Sequence, residues 1–286
     1  MEHEGKILRQ REESPGADPK KAKASVLLGS SWLGPEQAAH RLRQFVAGYA
    51  EHEPKHQRHI ELKLKHSLRV WEGVQRIERQ EHIEPKTARL AAIAALYHDL
   101  GRFPQYQKYR TFKDSDSEDH GRQGFKVLRQ SGLLHGLSRS DARIILQSVF
   151  LHNRAILPAG LPPTLHSVAG LVRDADKLDI VGVIAGHLFE EDGASQVLTL
   201  GLIQDPEKMS RTIIHQVRNR ALVNYQDMIW VNDFKLLLCS WVFALNYFAS
   251  RRIMAEQGEI ERLLDSLPQT EDTPGLKHEV LKALQE

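Results

Sequence analysis

The stretch that decides the fold is KTARLAAIAALYHDLGR, residues 86–102. Its first part is rich in Ala and Leu, which are among the strongest helix formers, and it predicts a helix from Lys86 to Leu100. Gly101 follows and predicts the end of that helix. His98 and Asp99 stand side by side close to this end. Adjacent helical residues point about 100° apart, so both side chains can reach one ion only near a helix end or a distortion.

Helical patterns extend along most of the remaining chain. For example, apolar residues recur at helical spacing at Ile60, Leu64, Leu68 and Trp71. No stretch alternates between apolar and polar residues with period two over the length of a strand. We therefore predict an all-α fold held together by the packing of helices on one another.

The sequence also predicts three local features. Residues 102–116 combine Pro, Asp and several aromatic residues, which favours a structured loop over a long helix. Ser117 is expected to cap a helix that carries His120. Leu236 to Phe248 is apolar over most of its length and predicts a single central core helix.

The composition is that of a globular protein. The chain has 286 residues, of which 41% are apolar and 27% charged, with a formal net charge of +2. This charge does not predict nucleic-acid binding, which needs basic residues concentrated on one face. The single cysteine, Cys239, excludes an internal disulfide framework. The longest apolar stretch, Leu236 to Ala249, is shorter than the roughly 20 residues that a membrane helix needs. We expect a cytoplasmic protein that binds no membrane.

Two further segments give the His98–Asp99 pair a chemical interpretation. His66 precedes the pair on another predicted helix, and Asp176 follows it within the acidic segment RDADKLD, residues 173–179. Imidazole and carboxylate ligands together suit Mn²⁺, Fe²⁺, Co²⁺, Ni²⁺ or Zn²⁺ and leave positions open for water. The adjacent pair alone would be weak evidence, since many proteins contain one by chance.

The order of these segments resembles that of the HD superfamily of metal-dependent phosphohydrolases. The resemblance covers about residues 60–185. Three local sequences are similar to those around the family's ligands: KHSLRV at 65–70, LYHDLGRF at 96–103 and DADKL at 174–178. Their combination in this order is what makes the resemblance specific.

The resemblance implies an HD-domain-like helical bundle with additional C-terminal helices. Its metal ligands would be His66, His98, Asp99 and Asp176, with Asp176 selected over Asp174 and Asp179 by the family's pattern. The predicted organisation is a flexible N-terminal tail over residues 1–34, an HD-type metal-binding helical domain over 35–190, and C-terminal helices over 191–286 packed on the same domain. The sequence leaves the role of these last helices open.

Two more histidines, His120 and His152, lie between the pair and Asp176. Their positions resemble HD subfamilies that hold two metals, in which the Asp of the pair bridges the ions. On this interpretation Asp99 bridges, and the two histidines bind the second ion. Asn153 stands where some of these families carry another His, so the alternative is that His120 and His152 hold phosphate. The number of ions is therefore one or two.

The predicted function is hydrolysis of a nucleotide or another small phosphate ester or anhydride by a metal-activated water. We expect catalytic roles for His98 and Asp99 and for two cations beside the ligand segments, Arg102 and Lys177, because cationic side chains offset phosphate charge. The expected partner is a small phosphorylated substrate, and an oligomer is compatible with the sequence. Two alternatives stay open: a regulatory HD module with little turnover, which binds metal or nucleotide, and a di-iron oxygenase.

Overall fold

The computed structural model describes residues 33–188 and 202–286. Within these ranges the chain forms twelve α-helices and no strand, which confirms the all-α prediction. Ile203 and Trp230 form an isolated parallel bridge. The helices are α1 (Pro35–Ala47), α2 (Pro54–Glu78), α3 (Pro85–Tyr97), α4 (Arg102–Tyr109), α5 (His120–Ser131), α6 (Arg139–Leu151), α7 (Pro163–Leu188), α8 (Arg211–Arg218), α9 (Val231–Ser240), α10 (Phe248–Gln257), α11 (Glu259–Asp265) and α12 (Thr273–Gln285).

The Ala-rich helix α3 is the centre of the fold. Every residue from Leu90 to Tyr97 is buried, and α3 packs against α1, α2, α6 and α7. Small side chains let the neighbouring helices approach closely while the interior stays densely packed. The two longest helices, α2 and α7, also pack against each other. The end of α3 is thereby surrounded by helices that carry the other predicted ligands.

The connection after α3 differs from the prediction. Residues 102–116 are not all loop, because Arg102–Tyr109 is helical and Asp114–Asp116 forms a 3₁₀ turn. Gly101 has an ordinary helical φ of −65°, so a left-handed backbone conformation is not the reason for a glycine at this position. A Cβ at Gly101 would lie 2.2 Å from the carbonyl oxygen of His120. The glycine is therefore required by the close approach of α5.

The cap of α5 was predicted at the wrong residue. Asp119 caps the helix, accepting a hydrogen bond of 2.8 Å from the backbone N–H of Arg122. The hydroxyl of Ser117 instead donates to the carbonyl oxygen of Lys113. A carboxylate and a hydroxyl are comparable caps, so their relative position in the loop decided between them.

The prediction of a single core helix from Leu236 to Phe248 is also wrong. Helix α9 ends at Ser240, a 3₁₀ turn covers Trp241–Ala244, and α10 begins at Phe248. Asp174 on α7 accepts hydrogen bonds from the backbone N–H groups of Asn246 and Tyr247. This buried carboxylate satisfies backbone groups that a continuous helix would have used internally, and it ties the chain between α9 and α10 to α7.

Two predictions concern residues outside the described ranges. Residues 1–32 of the predicted tail lie outside them, as does the predicted domain boundary at residue 190. Helices α10 and α11 contact α7. No helix in the described parts of the chain has both the length and the apolar character needed to cross a membrane.

Candidate metal centre

His98 and Asp99 lie in the turn directly after α3. The helix ends at Tyr97 and His98 is its C-cap residue, so the two side chains can point towards one place. Both are buried. Nδ1 of His98 donates a hydrogen bond of 2.6 Å to the carbonyl oxygen of Ala95. This bond orients the ring and leaves the lone pair on Nε2.

His66 on α2 approaches the same place from the side. Its Nε2 lies 3.2 Å from Nε2 of His98 and 3.1 Å from Oδ1 of Asp176 on α7. Its Nδ1 donates to Oδ2 of Asp179 at 2.7 Å. These three side chains, His66, His98 and Asp176, present one ligand atom each within 4.8 Å of one another, so they form one group that could hold a metal ion.

His120 and His152 form a second pair beside the first, because the ring centroids of His98 and His152 lie 5.0 Å apart. His98, Asp99 and His152 likewise present one ligand atom each within 4.8 Å of one another. His120 is the first residue of α5, and His152 is the C-cap residue of α6. Their Nε2 atoms lie 3.0 Å apart. Nδ1 of His120 donates to Asp114, and Nδ1 of His152 donates to the carbonyl oxygen of Val149. Both rings therefore present Nε2 lone pairs to each other.

The carboxylate of Asp99 lies between the two histidine pairs. Its Oδ2 is 3.6 Å from Nε2 of His66 and 3.8 Å from Nε2 of His98. Its Oδ1 is 3.6 Å from Nε2 of both His120 and His152. Each carboxylate oxygen thus faces its own pair of rings, which is the arrangement expected of a ligand shared by two ions.

The residues fit divalent cations on the evidence of their own hydrogen bonding. In a neutral ring whose Nδ1 carries the proton, Nε2 cannot donate, so neighbouring Nε2 atoms repel unless a cation lies between them. Neighbouring ligand atoms of an ion bound at about 2.1 Å lie about 3.0 Å apart in an octahedral site and about 3.4 Å apart in a tetrahedral one, a range that contains the two Nε2–Nε2 separations. Moreover, Oδ1 of Asp176 is buried and has no hydrogen-bond partner among the described residues. A metal ion would satisfy it.

The electrostatics of the centre favour ionised carboxylates. Burial raises the pKa of Asp99, but its neighbours, Lys63 first and then His98, outweigh burial and hold the pKa well below its usual range. Burial likewise opposes ionisation of Asp176, whose pKa is lowered by His66 and His98. For His120, burial and the charge of Arg102 lower the pKa to about 4. A neutral imidazole and charged carboxylates are the forms that bind metals.

Three acidic side chains lie close together along α7 and have different partners. They are Asp174, Asp176 and Asp179. Asp176 faces the histidines. Asp174 holds the backbone of Asn246 and Tyr247, as described above. Asp179 binds the Nδ1 side of His66 and accepts two hydrogen bonds from Arg69. Only Asp176 of the three faces the histidine Nε2 atoms.

The two predicted phosphate-binding cations have protein partners. Nη1 of Arg102 donates to Asp114, Gln105 and the carbonyl oxygen of Phe112, while its Nε lies 3.6 Å from Oδ1 of Asp99. Nζ of Lys177 donates to the carbonyl oxygen of Arg173 at 3.4 Å. Burial and the charge of Arg173 lower the pKa of Lys177 to about 8. Arg102 thus lies beside the Asp99 carboxylate.

Sequence reasoning missed several residues of the site. Asp114 and Arg173 gave no sequence signal, because their roles depend on contacts across the fold. Tyr225, in the 3₁₀ turn before α9, has a side chain that is 55% exposed, yet burial of its hydroxyl group raises its pKa to about 12, with Asp176 raising it and Arg102 lowering it. The C-terminal part of the chain therefore brings a phenol within electrostatic reach of the centre.

Comparison with known families agrees with this geometry. Residues 64–181 match the family model described as HD domain, and this part of the chain is an HD domain. The match spans α3, α4, α5 and α6, together with the parts of α2 and α7 that carry His66 and Asp176. Neither a curated protein nor a solved structure matches the chain.

Proposed function

From the HD domain at residues 64–181, we propose that this chain is a metal-dependent phosphohydrolase acting on a nucleotide or another small phosphate ester or anhydride. The observation that carries the proposal is the position of the Asp99 carboxylate between two pairs of histidine Nε2 atoms. Structural histidines rarely leave four lone pairs facing one buried carboxylate, because nothing would then balance their repulsion.

Six residues would hold the metal in this proposal. His66, His98 and Asp176 would bind one ion together with Oδ2 of Asp99. His120 and His152 would bind a second ion together with Oδ1. The mixed nitrogen and oxygen donors suit Mn²⁺, Fe²⁺, Co²⁺, Ni²⁺ or Zn²⁺. Each histidine is oriented by an acceptor at Nδ1, a carboxylate or a backbone carbonyl, which is the usual support of a metal-binding imidazole.

Bound divalent ions would lower the pKa of a water molecule and polarise a phosphoryl oxygen. The chain itself would position the substrate and balance its charge. Arg102 would keep a positive charge near Oδ1 of Asp99, and its Nε is buried without a hydrogen-bond partner among the described residues. Lys177 would add positive potential from α7. The turn after α3 would keep Asp99 shared between both halves of the centre.

The test combines metal analysis with phosphate release. The purified full chain is compared with Asp99→Ala and with Asp265→Ala, which removes a carboxylate that is 76% exposed in its ion pair with Lys277. We expect one or two divalent ions per native chain and release of phosphate from a panel of nucleotides and phosphate esters. Both properties should be lost or strongly reduced in Asp99→Ala and unchanged in Asp265→Ala.

Other results would favour the alternatives. Tightly bound metal with no turnover of any phosphorylated compound would favour a regulatory module. Oxygen-dependent turnover together with an iron absorption band would favour a di-iron oxygenase. A native chain that neither contains nor binds metal would overturn the hydrolase and the oxygenase, and would leave only a regulatory module that binds nucleotide.

A further inference from the structure

Lys63 is a cation that the sequence did not single out. It lies on α2, one turn before His66, within a basic stretch that resembles an ordinary solvated helix face. Its Nζ is 2.9 Å from Oδ2 of Asp99, and its side chain is only 18% exposed. Lys63 thus makes a direct, largely buried contact with the carboxylate at the middle of the centre.

An aromatic cluster holds Lys63 in this position. Nζ lies 5.3 Å from the ring centroid of Phe112, a distance that allows a cation–π interaction. Phe112 stacks on the buried ring of Tyr106 at 4.9 Å, and His59 packs against both rings. The ammonium group is therefore confined between an aromatic surface and the metal centre, although the four-carbon stem of lysine is flexible in water.

Among the described residues, the two arginines beside the centre bind more acceptor atoms than Lys63 does. Both ends of the Arg69 guanidinium are bound by Asp179. Arg102 donates to Gln105 within α4 and to Phe112 and Asp114 after it. For Lys63, by contrast, Asp99 is the acceptor in contact. An ammonium group carries three donors, and among the described residues Asp99 accepts one hydrogen bond from Lys63. Lys63 therefore has donors available for an anion. A metal ion on Asp99 would also weaken the hold of that carboxylate on the ammonium group.

We propose that Lys63 is a substrate-binding residue, whose ammonium group donates to a non-bridging oxygen of the substrate phosphate beside Asp99. This inference rests on the proposed phosphohydrolase function and adds to it a residue outside the HD-domain match, which begins at residue 64. Charge-assisted hydrogen bonds to phosphate are among the stronger contacts of a binding site. Loss of the ammonium group should therefore weaken phosphate binding while metal binding persists.

The experiment measures binding of inorganic phosphate to the Mn²⁺-loaded full chain by calorimetry, alongside the metal content of each variant. Lys63→Met removes the charge and keeps the apolar stem, and Lys63→Arg restores a cation. Lys65→Met is the matched control, because Lys65 lies on the same helix and is exposed. We expect the phosphate affinity to fall about tenfold or more in Lys63→Met, to recover in Lys63→Arg, and to be unchanged in Lys65→Met, all at native metal content.

Three outcomes would overturn the proposal: native phosphate affinity in Lys63→Met, loss of metal from that variant without a change in phosphate affinity, or no phosphate binding by the native loaded chain. Failure of the proposed phosphohydrolase function can be distinguished from failure of the role proposed for Lys63. If phosphate affinity depends on Lys63 but no phosphorylated compound is hydrolysed, the anion site stands and the hydrolase does not. If the native chain hydrolyses phosphate compounds and Lys63→Met binds phosphate and turns over equally well, only the role of Lys63 is excluded.

Discussion

Nδ1 of His120 donates a hydrogen bond of 2.6 Å to Oδ2 of Asp114. The other oxygen of this carboxylate accepts hydrogen bonds from Arg102 and Gln105. The position of the Asp114 side chain therefore does not depend on His120 alone. Asp179 supports His66 in the same way through a 2.7 Å hydrogen bond. Each half of the centre therefore has its own orienting carboxylate, and the two halves can be perturbed separately.

Replacing Asp114 by Ala should weaken the second ion selectively. Without the acceptor at Nδ1, His120 no longer holds its ring orientation or its tautomer, and such losses reduce metal affinity about 10–100-fold. Titration with Mn²⁺ by calorimetry should show one tight site and one weakened site. Asp116→Ala removes an exposed carboxylate from the same loop and should leave both sites intact.

Replacing Asp179 by Ala should have the opposite selectivity. His66 loses its Nδ1 acceptor, so the ion bound by His66, His98 and Asp176 should be weakened about 10–100-fold. The same titration measures it, and the two variants serve as reciprocal controls. Identical binding curves for Asp114→Ala and Asp179→Ala would contradict the division of the centre into two halves.

Arg173 should contribute to stability through the end of α6. Its buried guanidinium donates to the carbonyl oxygens of His152, Arg154 and Ala155. In Arg173→Met these carbonyl oxygens lose their donor, and we expect the free energy of unfolding in urea to fall by about 1.5–3 kcal/mol. Arg143→Met, on the exposed face of α6, should change it by less than about 0.5 kcal/mol.

Gly101 and Gly186 should respond oppositely to Ala. A Cβ at Gly101 would meet the carbonyl oxygen of His120 at 2.2 Å and the backbone N of Gly124 at 2.6 Å. Because backbone atoms cannot yield cheaply, Gly101→Ala should lower the free energy of unfolding by about 1–3 kcal/mol. Gly186 in α7 has no described atom within 4 Å of such a Cβ, and Gly186→Ala should stabilise by up to about 1 kcal/mol. Equal effects in thermal unfolding would refute this account.

Removal of metal should lower the melting temperature. The proposed ligands come from helices far apart in sequence and meet only in the folded chain. An ion that binds only the folded chain stabilises the folded state. The gain is about 2.7 kcal/mol when the free ion concentration is 100 times Kd. Scanning calorimetry of the native chain should give a higher melting temperature with added Mn²⁺ than with a chelator. In Asp99→Ala, which lacks a carboxylate ligand of the proposed centre, the difference between these two melting temperatures should be much smaller.

Most helices could be predicted from sequence because their signals are local. The apolar spacing of α2 and the Ala-rich composition of α3 depend on neighbours within a few residues. The failed prediction of one helix over Leu236 to Phe248 has a distant cause. The apolar stretch from Leu236 to Phe248 has helical character throughout, but Asp174 on another helix captures the backbone at Asn246 and Tyr247.

The sequence by itself determined the all-α class and, through the order of His66, His98, Asp99 and Asp176, the family of the domain. Only the tertiary structure decided that the two oxygens of Asp99 face different histidine pairs, that Asp114 and Asp179 orient the rings, and that Lys63 reaches the centre. The physical reason is that spacing along a chain specifies which residues share a helix face, whereas the distances between side chains on different helices depend on how those helices pack.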